Sequence, residues 1–170
     1  MSLEFSPTLP AGRQKDPIII SGTDSLQHSG REYVLLSEDQ KLLAAYEIRY
    51  AVQVGSFRAA SLLDGMLAVG HEDQFYLFDT VAHENRLTLS LEGYFGYLYV
   101  ADNRFYVATA SGLYCIDKTG HIVWHNDSLA IDGVVLEEWD GPHLVGSGDF
   151  DPPDGWEDFV LDKHTGQLIK

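Results

Sequence analysis

Five carboxylates lie within ten residues near the end of the chain, and this short segment could hold a cation. The segment, "DFDPPDGWED" at residues 149–158, supplies Asp149, Asp151, Asp154, Glu157 and Asp158. Calcium takes roughly six to eight oxygen ligands in proteins, and a loop with alternating aspartates and a glycine can provide several of them. Calcium binding is therefore one hypothesis for this segment.

The spacing of these aspartates resembles the calcium loop of integrin-type FG-GAP propeller repeats, which reads Asp-x-Asp-x-Asp-Gly-x-x-Asp. The resemblance implies that Asp149, Asp151, Asp154 and Asp158 are side-chain ligands and that Trp156 contributes a carbonyl. This chain has two prolines between Asp151 and Asp154, where the motif has one residue. Because proline is rigid, the extra residue is able to carry Asp154 away from the other ligands.

A long polar turn explains the same segment without a ligand, and it is the interpretation that we prefer. Pro-Pro-Asp-Gly is a turn signal, since proline presets the early turn position and Asp-Gly suits the positions after it. The acidic side chains then face water. Loops held on a rigid scaffold often bind partners, so Trp156 and Glu157 are the predicted partner contacts.

No arrangement of residues typical of an enzyme is found in the sequence. His121 and His125 could share a strand face, but no acidic third ligand adjoins them, and His71 is expected to be exposed at a hairpin. Cys115 stands in an apolar run and is expected in the core. Nucleophile elbows, phosphate loops and dinucleotide fingerprints are absent. We predict a protein without catalytic residues and without a cofactor, calcium being the one possible exception.

The charge balance restricts the kind of partner. The chain has 11 Lys and Arg residues against 26 Asp and Glu residues, a net charge of −15. Such a surface repels phosphate backbones, so we expect neither nucleic acid nor an anionic membrane as a partner. It would speed the encounter with a basic protein, although solubility alone also explains the charge.

The location expected from the sequence is the cytoplasm. The opening residues have no basic start, and the longest apolar run among them is Ile18 to Ile20. A signal peptide and a membrane span both need longer apolar runs.

Three heptapeptides recur at a constant spacing and define a repeat. They are "DGMLAVG" from Asp64, "DNRFYVA" from Asp102 and "DGPHLVG" from Asp140, each 38 residues after the one before. Each opens with a turn pair and continues with alternating apolar residues, which predicts a hairpin that enters a strand. A second block, "FYLFD", "LYCID" or "FVLD", follows each heptapeptide, and the third copy comes seven residues late. The acidic segment is therefore an insertion between two strands.

About sixteen short strands can be counted, which is the pattern of four units with four strands each. Units of four strands are the blades of β-propellers. We predict an all-β fold, a small β-propeller of about four four-stranded blades, with a β-sandwich or a half-ring completed by dimerisation as the alternatives. A flexible N-terminal arm is expected over 1–16 and one propeller-like domain over 17–170.

The last two units resemble the repeat of pyrroloquinoline-quinone-type propellers. "GLYCIDKTGHIVW" (112–124) and "DFVLDKHTGQLIK" (158–170) share an Asp and a Thr-Gly turn with that repeat. Asp and Thr can tie such a turn to its own backbone, and Gly can take the positive-φ position. The resemblance implies a propeller in which Trp124 wedges between neighbouring blades. The quinone enzymes of the family often carry a vicinal disulfide, which the single cysteine of this chain excludes.

The segment "YFGYLYVADNRFY" (94–106) concentrates six tyrosine and phenylalanine rings. Exposed aromatic rings can stack on sugars or anchor protein partners. We expect most of these rings in the core between blades.

These observations predict a non-catalytic binding or scaffolding module that presents a rigid face to a protein partner, as a monomer or a homodimer. One alternative is an acidic inhibitor, such as an immunity protein that neutralises a basic nuclease-type toxin. A calcium-binding repeat domain is the other.

Overall fold

The structure is a computed structural model that describes residues 1–11, 16–21, 28–51, 57–151 and 155–169. It divides into two compact units, Met1–Ser56 and Phe57–Lys170. The regular structure in the described ranges consists of strands joined by turns. Among these residues, no helix has the length and apolar character needed to cross a membrane. The all-β prediction is confirmed.

The described residues of the N-terminal unit form one sheet. Its strands are β1 (Ser2–Ser6), β2 (Ile18–Ile19), β3 (Gly30–Glu38) and β4 (Lys41–Tyr50). They lie in the order β1-β3-β4-β2, and β2 runs parallel to β4. A flexible arm is predicted over 1–16, but β1 pairs with β3 along its whole length, from Ser2 opposite Ser37 to Ser6 opposite Tyr33. The single domain over 17–170 stays a prediction.

The described residues of the C-terminal unit form three sheets. The first contains β5 (Arg58–Leu63), β6 (Met66–His71), β7 (Gln74–Asp79) and β8 (Glu84–Ser90). The second contains β9 (Phe95–Ala101), β10 (Arg104–Thr109), β11 (Leu113–Asp117) and β12 (Ile122–Asn126). The third contains β13 (Val134–Asp140), β14 (His143–Asp149) and β15 (Trp156–Asp162). Strands that follow each other in the chain pair antiparallel within each sheet, as in propeller blades.

The repeated heptapeptides form the hairpins that the sequence predicts. Asp64 and Gly65 have φ angles of 49° and 81°, and Asp102 and Asn103 have 51° and 58°. A two-residue turn with positive φ at both positions matches the twist of the strands that it joins. These turns connect β5 to β6 and β9 to β10.

The third sheet carries the acidic insertion between β14 and β15. After β15 the chain turns back along this strand: Leu168 bridges to Leu161, and the Ile169 amide donates to the Val160 carbonyl at 2.7 Å. Among the described residues this sheet therefore has three full strands, whereas each of the other two sheets of the unit has four.

Apolar side chains join the three sheets of the C-terminal unit in succession. One cluster, between the first and second sheets, includes Phe75, Leu77, Phe105 and Ile116. Another, between the second and third sheets, includes Tyr106, Cys115, Leu144 and Leu161. Neighbours along β10, such as Phe105 and Tyr106, belong to different clusters because their side chains point to opposite faces. The middle strands are thus buried on both faces, and the predicted burial of Cys115 is confirmed.

His71 shows the consequence of this two-sided burial. This histidine is predicted to be exposed, but only 1% of the residue is exposed, and all six residues of β6 are buried. Burial lowers the pKa of His71, although the charges of Glu72 and Asp73 act in the opposite direction. The prediction of an exposed histidine is wrong.

The Asp-Thr-Gly turns have the predicted chemistry. One carboxylate oxygen of Asp117 accepts hydrogen bonds from the Thr119 amide (2.8 Å) and the Thr119 hydroxyl (2.6 Å). Asp162 accepts the equivalent bonds from Thr165 at 2.8 and 3.0 Å. Gly166, which closes the second turn, has a φ of 69°.

Trp124 lies between two sheets, as the family resemblance implies. Its Nε1 donates to the Lys163 carbonyl at 3.0 Å, across from β12 to the turn that follows β15. Gly166 packs directly on the indole ring, so closely that a Cβ atom there would overlap it. The predicted wedge is confirmed.

Candidate functional site

The first residue of the acidic segment has a structural role. Asp149 ends β14 and is only 5% exposed. Its carbonyl accepts the amides of Ile131 and Asp132 at 2.8 and 3.1 Å, and its own amide donates to the Gly133 carbonyl at 3.0 Å. Asp149 therefore fastens the loop before β13 to the end of β14.

The Asp149 side chain also shapes the acidic loop itself. Its carboxylate accepts the Asp151 amide at 3.3 Å, and the Gly155 amide donates to the Asp151 carbonyl at 2.9 Å. A carboxylate that binds the amide two residues onward is a common turn motif. This arrangement resembles the polar turn that we prefer for the segment.

The predicted calcium ligands are only partly described. Asp151 and Asp158 are exposed, and Asp158 faces Ser147 in the β14–β15 pair. Asp154 lies outside the described residues. Within the described ranges, no group of three or more His, Cys, Asp or Glu side chains could hold a metal ion. Calcium binding stays a prediction.

The two predicted partner contacts, Trp156 and Glu157, begin β15. Both are exposed, Trp156 to 46%. A Cβ atom on Gly133 would lie 3.5 Å from the Trp156 ring and 3.6 Å from the Tyr94 hydroxyl. The Gly133 backbone is therefore close to two aromatic residues, Trp156 from the third sheet and Tyr94 from the loop before β9.

Tyr94 leads to two further rings at the surface of the C-terminal unit. Phe57 stacks on Tyr94 with ring centroids 5.6 Å apart and planes at 15°. The ring of Tyr97 lies 6.3 Å from Phe57 at an interplanar angle of 58°. Phe57 and Tyr97 are each 46% exposed. They form an open corner with aromatic walls.

The exposed rings are backed by the partly buried rings of Tyr99 and Trp139 and by the buried ring of Tyr106. Contacts continue from Tyr97 to Tyr99 (6.1 Å), from Tyr99 to Trp139 (5.6 Å) and from Trp139 to Tyr106 (6.3 Å) between centroids. The Tyr99 hydroxyl accepts the Leu136 amide at 3.1 Å, which links β9 to β13. Rings held in this way lose little conformational entropy when a partner covers them.

Acidic residues lie near Tyr94 and Tyr99. The Tyr94 hydroxyl donates to the Asp132 carbonyl at 2.9 Å. Burial raises the pKa of Tyr94, and the negative charges of Asp132 and Asp149 raise it further. Burial likewise raises the pKa of Tyr99, with a contribution from Glu137. We call Phe57, Tyr94, Tyr97, Asp132 and Trp156 the aromatic–acidic surface.

The sequence predicts this surface only in part. Trp156 is predicted as a partner contact, and most rings of the aromatic segment 94–106 are predicted in the core. Phe95, Phe105 and Tyr106 are indeed buried, but Tyr97 is exposed. Phe57 was missed, because no local pattern indicates that it stacks on a ring 37 residues later in the chain.

The two singled-out histidines have separate surroundings. His125 stacks on Tyr114 with centroids 3.7 Å apart and planes at 6°. His121 precedes β12, and its amide donates to Asp117 at 3.1 Å. Both histidines are exposed.

The N-terminal unit has a surface cavity of about 420 Å³. Its lining consists of Pro7, Thr8, Leu9, Pro17, Arg31, Tyr33 and Glu47. The buried Glu47 carboxylate lies 2.7 Å from Arg49 Nε and 4.0 Å from Arg31 Nη1. Because the carboxylate is already compensated, the cavity wall offers no strong charge to a ligand.

Comparison with known proteins supports the fold. No protein-family model matches the chain, and neither does any curated protein. The chain is similar to the crystal structure of BamB from Moraxella catarrhalis, with a TM-score of 0.57 and 15% identity over 85% of this chain and 44% of that one. It is also similar to hydrazine synthase of Kuenenia stuttgartiensis, with a TM-score of 0.57 and 14% identity over 96% and 52% of the two chains.

The chain spans about half the length of both solved structures. The similarity confirms the predicted β-propeller fold, because the sheets match. Since few residues are identical, it extends no further than the fold. Membership of the quinone-type repeat family and the likeness to FG-GAP loops stay predictions.

Proposed function

We propose that this protein is a non-catalytic binding module that presents the aromatic–acidic surface to a basic protein partner. The observation that carries the proposal is the group of rings Phe57, Tyr94 and Tyr97, of which Phe57 and Tyr97 are 46% exposed, backed by partly buried rings and close to the acidic residues Asp132 and Asp149. One of the proteins with a similar fold, hydrazine synthase, is named as an enzyme. The proposal therefore depends on this surface and not on the fold.

Aromatic residues often contribute much of the binding energy of a protein–protein interface. Truncation of such an anchor typically costs a complex about 2 kcal/mol or more when the ring is central to the interface. Phe57 and Tyr97 are half-exposed and fixed by neighbours, which is the state expected of an anchor before a partner arrives.

The charge of the chain favours a basic partner. A net charge of −15 accelerates association with a positively charged protein and repels acidic ones. The same charge supports the second candidate function, inhibition of a basic protein such as a nuclease-type toxin. In that case the aromatic–acidic surface would cover a basic active site, and the localisation would be the cytoplasm, as we predict.

The proposal is tested by measuring the binding of purified basic proteins, a nuclease and lysozyme among them, to the immobilised chain at low and at high salt. We expect salt-sensitive binding that falls at least tenfold in the double variant Phe57→Ala, Tyr97→Ala. Leu43→Ala, which removes a similarly exposed apolar residue from the N-terminal unit, is the control. Equal binding by the wild type and the double variant would contradict the proposal.

A further inference from the structure

We infer that the corner between Phe57 and Tyr97 receives an arginine side chain of the partner. The inference rests on the proposed function and names the group that the surface recognises. It starts from two rings that are both 46% exposed, 6.3 Å apart between centroids and inclined at 58°. A flat group laid on one ring therefore also meets the other.

The charges around the corner select a cation. Asp132 is exposed, and it lies against Tyr94, the ring that stacks on Phe57. Glu137 is exposed on β13, next to Leu136, whose amide binds the Tyr99 hydroxyl, and its carboxylate accepts the Ser147 hydroxyl at 2.9 Å. Aromatic faces attract cations through the negative potential of the ring, and nearby carboxylates add to that attraction.

The shape of the corner selects arginine over lysine. A guanidinium is planar, so it can stack on a ring while its N–H groups donate within its plane to a carboxylate. A lysine ammonium is compact and more strongly hydrated, and it gains less from a flat apolar wall. The stacked pair of Phe57 and Tyr94 supplies such a wall, and the exposed residue Asp132, whose backbone carbonyl accepts the Tyr94 hydroxyl, adjoins it.

The rigidity of the corner strengthens this selection. The Tyr94 hydroxyl is held by the Asp132 carbonyl, and the Asp132 amide is held by the Asp149 carbonyl. The carboxylate-bearing loop and the ring are therefore positioned together by the end of β14. A guanidinium therefore finds the ring and the loop that carries Asp132 in place before it binds.

The test uses two synthetic peptides that differ only in carrying three arginines or three lysines at the same positions of a Gly-Ser background. Binding to the full chain is measured by calorimetry and by chemical-shift changes of the Phe57 and Tyr97 ring protons. We expect the arginine peptide to bind roughly three- to tenfold more tightly, in line with the contribution of one or two cation–π contacts. Phe57→Ala and Tyr97→Ala should each abolish the preference, while Leu43→Ala should preserve it.

Equal binding of the two peptides, lost in Phe57→Ala, would overturn the inference and leave the proposed function standing. An arginine preference that persists in both ring variants would place the arginine elsewhere and would also overturn it. If neither peptide binds at low salt, the inference and the proposed function both fail.

Discussion

Lys163 reaches back from the turn after β15 to Asp102 in the sheet before it, with Nζ 2.8 Å from Oδ2. One repeat earlier, Lys118 makes the same contact with Asp64 at 3.0 Å. In both cases a lysine that follows the strand-ending aspartate pairs with the first aspartate of the preceding heptapeptide. The repeat in the sequence is therefore also a repeat of contacts between sheets.

We expect Asp102 and Lys163 to be energetically coupled. Lys163 lowers the pKa of Asp102 through its hydrogen bond and its charge. The variants Asp102→Asn and Lys163→Gln should each lower the thermal unfolding temperature slightly, and the double variant should lose less than the sum. Unfolding in low and high salt measures the coupling, which salt should weaken. Asp140→Asn is the control, since Asp140 holds the same repeat position with no ion pair among the described residues. Strictly additive losses would contradict the prediction.

Gly166 should be required for the contact with Trp124. In Gly166→Ala, a Cβ atom would overlap the indole ring, and the φ of 69° would strain the alanine backbone. We expect a loss of about 2–4 kcal/mol in the free energy of unfolding, from overpacking and left-handed backbone together. Chemical denaturation measures it.

Gly141→Ala provides the matched comparison for that variant. Gly141 has a φ of 56°, but nothing lies within 4 Å of a Cβ atom there. Only the strain of the left-handed backbone remains, so we expect the free energy of unfolding to fall by about 1 kcal/mol. Equal losses at the two glycines would show that packing on Trp124 contributes nothing.

We expect the protein to lose stability in acid because the Asp79 carboxylate becomes protonated. Its carboxylate accepts the Ala82 amide at 2.8 Å and pairs with Arg86 at 2.8 Å, and these contacts lower its pKa from 3.8 to about 2. Because the folded-state pKa lies below the unfolded one, the stabilisation is complete above about pH 4 and is lost as the pH falls toward 2.

The measurement is the thermal unfolding temperature from pH 6 to pH 2 for the wild type and for Asp79→Asn. The variant should start lower at pH 6 and decline less steeply below pH 4. Parallel curves would mean that Asp79 does not contribute to the acid sensitivity.

The acidic loop should behave as a turn in the presence of calcium. The Asp149 carboxylate already binds the Asp151 amide, and Asn can accept the same hydrogen bond. We expect equal unfolding temperatures in calcium and in chelator, and no calcium-dependent change in the double variant Asp149→Asn, Asp151→Asn. A calcium-dependent rise that this variant abolishes would establish the metal site instead.

Truncation of Tyr97 should separate stability from binding. About half of the ring is exposed, so Tyr97→Ala should cost about 1 kcal/mol or less in the free energy of unfolding. Binding of a basic partner should nevertheless fall at least tenfold. If Tyr97→Ala is instead unfolded under the conditions of the binding assay, Tyr97 belongs to the core.

Local features could be predicted from the sequence because their partners are a few residues away. The Asp162 carboxylate binds the amide and hydroxyl of Thr165, three residues later, and Gly166 completes that turn. The hairpin at Asp64 likewise needs only its own Asp-Gly pair. Such contacts form wherever the short motif occurs, whatever surrounds it.

Features that depend on distant partners were predicted poorly. Ser2–Ser6 has little apolar character, and it is a strand because β3 offers it a free edge. His71 follows an apolar run at a hairpin, where exposure is the usual outcome, but β6 is buried on both faces. For Ser2–Ser6 the deciding partner, β3, is remote in the chain.

The sequence by itself determined the class of fold, the repeat and its turns, because alternating apolar residues and turn motifs act over a few residues. Only the tertiary structure decided which aromatic rings face solvent and that Phe57, Tyr94 and Tyr97 meet beside Asp132. Every strand of a blade can bury either of its faces, and the choice depends on the sheets packed against it. That choice is made by contacts between residues far apart in the chain, which no local pattern records.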